Sequence, residues 1–341
     1  MSRPYAFCFC LLVSWLALDL FALAYGHAPF EVVAAFAQGT WGTTYGIGQI
    51  LFKATPLLLT GLAVRVALRA GLFNVGAEGQ LAVASIAVGA VGVVLPQNPF
   101  SWILLVVVAA LSGALFAAVP AILSRRAGGG LSLLATILMN RLADPLVALL
   151  LHAGLAETDS SHTRPMRATL PRLDVIIPSL HGSAVSVALP FAIAVAFAVD
   201  AFLRRSRIAR EWMFVRENRV ASAKVGISVD RRLAQAMLVS GALAGLVGLA
   251  TVAGYKGYYE QGLGAGAGFA GIGVALLGGE SAVGLIVAAL LFGTLSQGGL
   301  AINALLPREI LQLFEAGIIV FVALLTGESW SIIGKIRWRK S

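Results

Sequence analysis

Polar and apolar positions in this chain alternate on a scale much longer than a helical turn or a strand. Apolar runs of about twenty residues follow one another, separated by short polar stretches. A run of that length crosses the hydrocarbon core of a bilayer as one helix. Ten spans are predicted, at roughly 6–26, 48–68, 74–95, 100–123, 129–151, 184–203, 232–253, 266–278, 281–301 and 309–326. The first is expected to be retained. "ALA" at 22–24 could end a leader, but only Arg3 precedes a run that is long for one. The eighth is short and glycine-rich ("GLGAGAGFAGIGVALLGG"), as in a half-helix or re-entrant segment shielded from lipid by protein.

Composition confirms the class. Of 341 residues, 59% are hydrophobic and 12% charged. A soluble domain has too little interior to hide that much apolar surface. The expected fold is an all-α integral membrane protein of about ten transmembrane helices, built as a single polytopic domain over 1–341. The net charge of +9 changes the picture only once it is located. Residues 204–232 carry nine basic groups against Glu211, Glu217 and Asp230, so nine minus three gives +6. Residues 152–183 balance Arg164, Arg167 and Arg172 against Glu157, Asp159 and Asp174. Basic loops stay in the cytoplasm. Both termini and the loop at about 204–232 are therefore expected inside, and the loop at about 152–183 outside. The basic surplus is explained by topology, without a nucleic-acid partner.

The apolar runs carry a few polar groups. "GLFNVGAEGQ" at 71–80 places Asn74, Glu78 and Gln80 at a span entry. If helical, Asn74 and Glu78 share a face and Gln80 points elsewhere. Asn140, Arg141 and Asp144 lie on the fifth span, where Arg141 and Asp144 (i, i+3) could neutralise each other. Gln297 sits near the end of the ninth. These seven are candidates for a pathway or gate, since ionisable groups inside spans are functional candidates by default, with helix packing as the competing role. Gly241, Gly245 and Gly248 are spaced for close helix contact on the seventh span. Pro56, Pro120 and Pro145 are expected to kink their helices. The four histidines fall on or beside outer loops, without a ligand-like pairing, and Cys8 and Cys10 lie in an apolar run. No metal or other cofactor is expected. In the inner loop, Arg216 to Lys224 has no proline or glycine, and Gly226 closes it, so a short surface helix is predicted there.

"GLFNVGAEGQ" (71–80), "TILMN" (136–140), "RENRVASAKVGI" (216–227) and "GFAGIGVALLGGE" (268–280) together carry a resemblance. The chain resembles permease subunits of ABC importers, in the nucleoside and simple-sugar subgroup of the branched-chain amino acid and ribose permease family. It departs from the pattern at Arg141 and Asp144, which leaves nucleoside, pentose and lipoprotein-delivered purine all open as solutes.

The resemblance implies a multi-pass subunit of the bacterial cytoplasmic (inner) membrane. It implies three protein partners: a cytoplasmic ABC ATPase, a second and paralogous permease chain, and a periplasmic or lipid-anchored solute-binding protein. It assigns ATPase coupling to Arg216, Glu217, Asn218, Arg219, Ala221, Ala223, Lys224 and Gly226. The chain contains no GxxxxGK[ST] phosphate loop, so a non-catalytic subunit is expected, with ATP hydrolysis on another chain. The alternative is a secondary active transporter working without an ATPase, which would carry its own ion site and often an internal repeat.

Overall fold

The computed structural model describes residues 16, 19–157, 160–307, 309, 310, 313, 316 and 317, with 124–131 described by backbone alone. The predicted first and tenth spans fall largely outside these residues. The described residues are mostly helical and contain isolated β-bridges but no strand. The helices are α1 (Pro29–Gly39), α2 (Thr44–Arg69), α3 (Ala77–Val94), α4 (Pro99–Phe116), α5 (Ala118–Leu150), α6 (Ala188–Arg205), α7 (Arg207–Glu217), α8 (Arg219–Lys224), α9 (Val229–Gly245), α10 (Ala267–Gly278) and α11 (Ala282–Ala301). Their starts are marked locally by side-chain caps. Thr43, Asn98 and Ser281 each accept a backbone N–H three residues on, opening α2, α4 and α11.

Among the described residues, six helical stretches are long and apolar enough to cross a membrane: Thr44–Arg69, Ala77–Val94, Pro99–Phe116, Ser132–Leu155, Val229–Lys256 and Ala282–Ala301. Helix α6 has 18 residues but carries Asp200, Arg204 and Arg205. Helix α10 has 12 residues, or about 18 Å at 1.5 Å per residue, well short of a full crossing. That matches the half-helix expected at the eighth run.

The boundary between the fourth and fifth runs is corrected. A loop was expected at Arg125–Arg126, yet α5 passes through it as one 33-residue helix. The break lies earlier, at Ala117, a single residue of right-handed helical conformation between α4 and α5. Apolar residues continue on both sides of that break and conceal it in the sequence. Pro120 consequently lies in the first turn of α5, where its missing N–H costs little. Pro56 and Pro145 are interior to α2 and α5.

Helix α2 is the axis of the bundle, packed by α6, α9, α10 and α11. Its apolar window is 83% buried, against 22% for Ser132–Leu155. The first is therefore core and the second edge. Gly241 and Gly245 bring α9 against α4 as their spacing predicts: a Cβ on Gly241 would meet the Gly113 carbonyl at 2.6 Å and the Ala117 side chain, and one on Gly245 would meet the Ala109 carbonyl. Gly248 lies beside Ser85 of α3. Such contact between backbones is how helices associate without a hydrophobic drive.

Because rigid backbone fills the space, Gly245→Ala is expected to destabilise the bundle by about 1–3 kcal/mol through overpacking. The check is the thermal midpoint of the detergent-solubilised protein. A midpoint equal to the parent's would mean that the two helices separate freely.

Candidate functional site

Helix α2 ends at Arg69, and residues 72–74 have no regular secondary structure before α3 begins at Ala77. Asn74 is fully buried in this entry segment. Its Nδ2 donates to Gln80 Oε1 and to Ser240 Oγ, each at 2.8 Å, and Gln80 Nε2 donates back to Asn74 Oδ1 at 3.2 Å. Ser240 Oγ in turn donates to the Ala63 carbonyl at 2.6 Å. The expected Asn74–Glu78 face is thus corrected: Asn74 pairs with Gln80, and Glu78 goes elsewhere. The reciprocal amide pair requires Asn74 to lie outside the helix, so that its side chain can fold back over the first turn.

Glu78 joins two helices. Its Oε1 accepts the Gly266 N–H at 2.6 Å and its Oε2 the Gly268 N–H at 2.7 Å. Gly266, at φ +88°, is the residue preceding α10. The carboxylate therefore satisfies donors that a helix start leaves open and sits where the dipole favours negative charge. It does this from the first turn of α3, so one charge serves two helix N-termini.

Helix α5 supplies the facing wall. Asn140 Oδ1 accepts the Gly79 N–H at 2.9 Å, and its Nδ2 donates to the Val75 carbonyl at 2.7 Å. Arg141 and Asp144 are both exposed and do not form the expected ion pair. Helical side chains lean toward the N-terminus, so an Arg placed before its Asp points away from it. Between α3, α5 and the segment before α10 lies a cleft of about 500 Å³, whose lining includes Glu78, Asn140, Arg141, Asp144, Tyr259 and Phe269.

Gln297 belongs to a different place. It is buried on α11, and its Nε2 donates to the Gly39 carbonyl at 3.2 Å. It lines a cavity of about 730 Å³ with Gln49, Lys53 and Tyr255. Lys53 Nζ lies 3.4 Å from the Ser296 carbonyl, and the Phe52 and Tyr255 rings stand 4.8 Å apart beside it. Lys53 escaped the sequence reading although its signal was plain: a cation ten residues into an apolar helix. Phe269 carried no such signal, because aromatic residues are ordinary in spans.

The arginine-rich end holds the last group. Arg65 binds Asp200 Oδ1 at 2.7 Å and the Glu280 carbonyl, while Asp200 Oδ2 accepts from Arg204 at 2.7 Å. The single surface helix expected over 216–226 is corrected to two helices broken at Asn218. This residue ends α7 in an extended conformation and caps α8 by accepting the Ala221 N–H at 2.9 Å. Asn is a strong N-cap and a weak helix-interior residue, which the count of prolines and glycines alone overlooked. Gly226 ends α8 as predicted, at φ +86°, with its own N–H donating to Ala223 and that of Ile227 to Ser222. Trp212 and Val215 bury α7. Arg216, Glu217, Asn218, Ala221, Ala223, Lys224 and Gly226 are exposed, and Arg219 is half-buried.

The profile of the branched-chain amino acid transport system permease component matches residues 46–323. The chain belongs to that family. Among characterised relatives, this permease is 32% identical over 308 residues to the guanosine ABC transporter permease protein NupP of Bacillus subtilis, covering 89% of this chain and 88% of that one. It is 31% identical over 333 residues to the glucose ABC transporter permease protein TsgB13 of Haloferax volcanii, covering 88% and 87%. It is 30% identical over 311 residues to the nucleoside ABC transporter permease protein NupB of Lactococcus lactis, covering 88% and 85%.

Glu211 fastens α7 to the rest of the permease. Its Oε2 accepts from Arg232 Nε at 2.6 Å and its Oε1 from Arg207 Nε at 3.2 Å. The Arg232 guanidinium, with Arg207 behind it, holds this carboxyl below its ordinary value of 4.5. A depressed carboxylate stabilises the fold above its unfolded pKa, and that stability is lost as pH falls through the folded value. The thermal midpoint should therefore drop as pH is lowered below about 4.5, with a smaller drop in Glu211→Gln. At neutral pH that variant should be less stable by about 1–2 kcal/mol. Identical pH profiles for the two proteins would exclude the anchoring role.

Proposed function

We propose that this chain is the transmembrane permease subunit of an ATP-driven ABC importer for a nucleoside or simple sugar. The observation that carries this reading is identity of 30–32% over nearly the whole chain to three permeases of such transporters. The polar cleft beside α5 supports it physically. A channel for a hydrophilic solute needs charged groups inside spans, and these are tolerated only against protein or water.

On this reading the chain spans the membrane about ten times, with both termini and the 204–232 loop in the cytoplasm and the 152–183 loop outside. It catalyses no reaction itself. A cytoplasmic ATPase supplies the energy, a second, paralogous permease chain completes the pathway, and a periplasmic or lipid-anchored protein delivers the solute. Arg141 and Asp144 line the pathway. Glu78, Asn140, Asn74 and Gln80 shape its wall, and Gln297 lines the neighbouring cavity. Helices α7 and α8 couple to the ATPase. Their support is geometric: α7 is rooted by Trp212, while Val220 and Val225 of the α8 region are 67% and 76% exposed. An apolar stripe so exposed beside small residues suits a groove on another protein.

Orientation is checked with single cysteines. One placed at Ser161 should react with an impermeant thiol reagent in intact cells, and one at Lys224 should react only after lysis. The opposite pattern would invert the topology.

Coupling and transport are checked together. Cells lacking this chain should lose uptake of labelled guanosine or glucose and regain it with the parent gene. Ala221→Trp should reach the membrane in normal amount, yet lose co-purification with the ATPase and at least tenfold of uptake, because it overpacks an interface and leaves the bundle intact. Full ATPase retention by this variant would refute the docking role of α8.

A further inference from the structure

Cleft groups divide into those already engaged and those still available. Both oxygens of Glu78 hold backbone N–H groups of the α10 start. Both ends of the Asn140 amide are bonded to the α3 entry. Arg141 and Asp144 remain, exposed and not paired with each other. They are the tenth and thirteenth residues of the 24-residue span Ser132–Leu155, which puts them near its centre. A charge at such a depth costs roughly 2.5–3.5 kcal/mol on insertion scales. Two of them on the exposed side of a helix therefore need a polar counterpart.

We propose that Arg141 and Asp144 together bind adjacent hydroxyls of a sugar ring, either a free sugar or the ribose of a nucleoside. This rests on the reading of the cleft as the solute pathway. An ionised carboxylate offers only acceptors, and a guanidinium offers only donors in a fixed fork. Each hydroxyl is both donor and acceptor. A vicinal diol can therefore donate both protons to Asp144 while its oxygens accept from Arg141, and neither protein group is left unmatched. The two side chains leave the helix three residues apart, about 4.5 Å along the axis, and both line the same cleft, so a solute lying between them can reach each. Phe269, 49% exposed in the same cleft, offers an apolar face to the ring or to an attached base.

The experiment uses the complete transporter in cells with no other route for the solute. Labelled guanosine and 2′,3′-dideoxyguanosine are compared in the parent, Asp144→Asn and Arg141→Gln. The delivery protein is the same throughout, so a change in the guanosine-to-dideoxyguanosine ratio reports on this chain. Expected is a tenfold or greater loss of guanosine uptake in each variant and little change for the dideoxy compound. Asp144→Glu, which keeps the charge and displaces it, should lie between. If the asparagine variant does not reach the membrane, that glutamate variant carries the test.

An unchanged ratio would overturn the proposal. Loss of the second permease chain on purification of the variants would also overturn it, since the charges would then be interface partners. If the parent transports neither guanosine nor glucose, the solute reading under Proposed function falls, and this assignment falls with it. An unchanged ratio with active parent uptake removes only the diol site.

Discussion

The carboxylate of Glu78 is the constraint on which the site depends. A helix start leaves its first backbone N–H groups without partners in the helix, and an unsatisfied group costs several kcal/mol where water is excluded. Glu78 meets two of those N–H groups, at Gly266 and Gly268. It lies within the first turn of α3, so that helix start also benefits from the negative charge. A Cβ on Gly268 would lie 2.6 Å from Glu78 Cα and 2.7 Å from its Oε2, which explains why the approach is made by glycine. Depth, charge and the absence of a side chain are one arrangement here.

From that junction the other polar groups acquire distinct duties. Asn74, Gln80 and Ser240 close a buried network that fixes the segment entering α3. Asn140 fastens the same segment to α5 from the other side. Fully satisfied buried networks of this kind rigidify their surroundings. The wall of the cleft is thus held firmly, while α5 presents Arg141 and Asp144 outward from a helix that is mostly unburied. A rigid wall facing two available charges is suited to recognising a polar solute by geometry.

The opposite extreme lies at the arginine-rich end. There Arg65 ties α2 to α6 and to the turn after α10, and Glu211 ties α7 to the start of α9 through Arg232. Both links join elements distant in sequence, and both lie close to the exposed α7–α8 surface. Ion pairs and the packed Trp212 thus link α7 to the helices beside the cleft wall. This is a contiguous physical connection. It runs through α2, whose apolar window is 83% buried.

The sequence alone determined what depends on composition and local period. Membrane class follows from hydropathy, because apolar area must be covered by lipid. The short glycine-rich α10, the close glycine contacts of α9 and the Gly226 stop follow from local sterics. The family followed from four ordered motifs. Pairing partners were not legible. Helical spacing joined Asn74 to Glu78 and Arg141 to Asp144, but the tertiary structure joins Asn74 to Gln80, sends Glu78 to α10 and leaves Arg141 and Asp144 unjoined. The break at Ala117 was hidden by apolar residues on both sides, and that at Asn218 by a helix-compatible composition. Lys53 and Gln297 meet in one cavity from helices that are far apart in the chain. The physical reason is the same throughout. Burial propensity is a property of each residue, whereas a hydrogen bond exists only where two groups are brought within about 3 Å, and in a bundle that distance is set by how the helices pack.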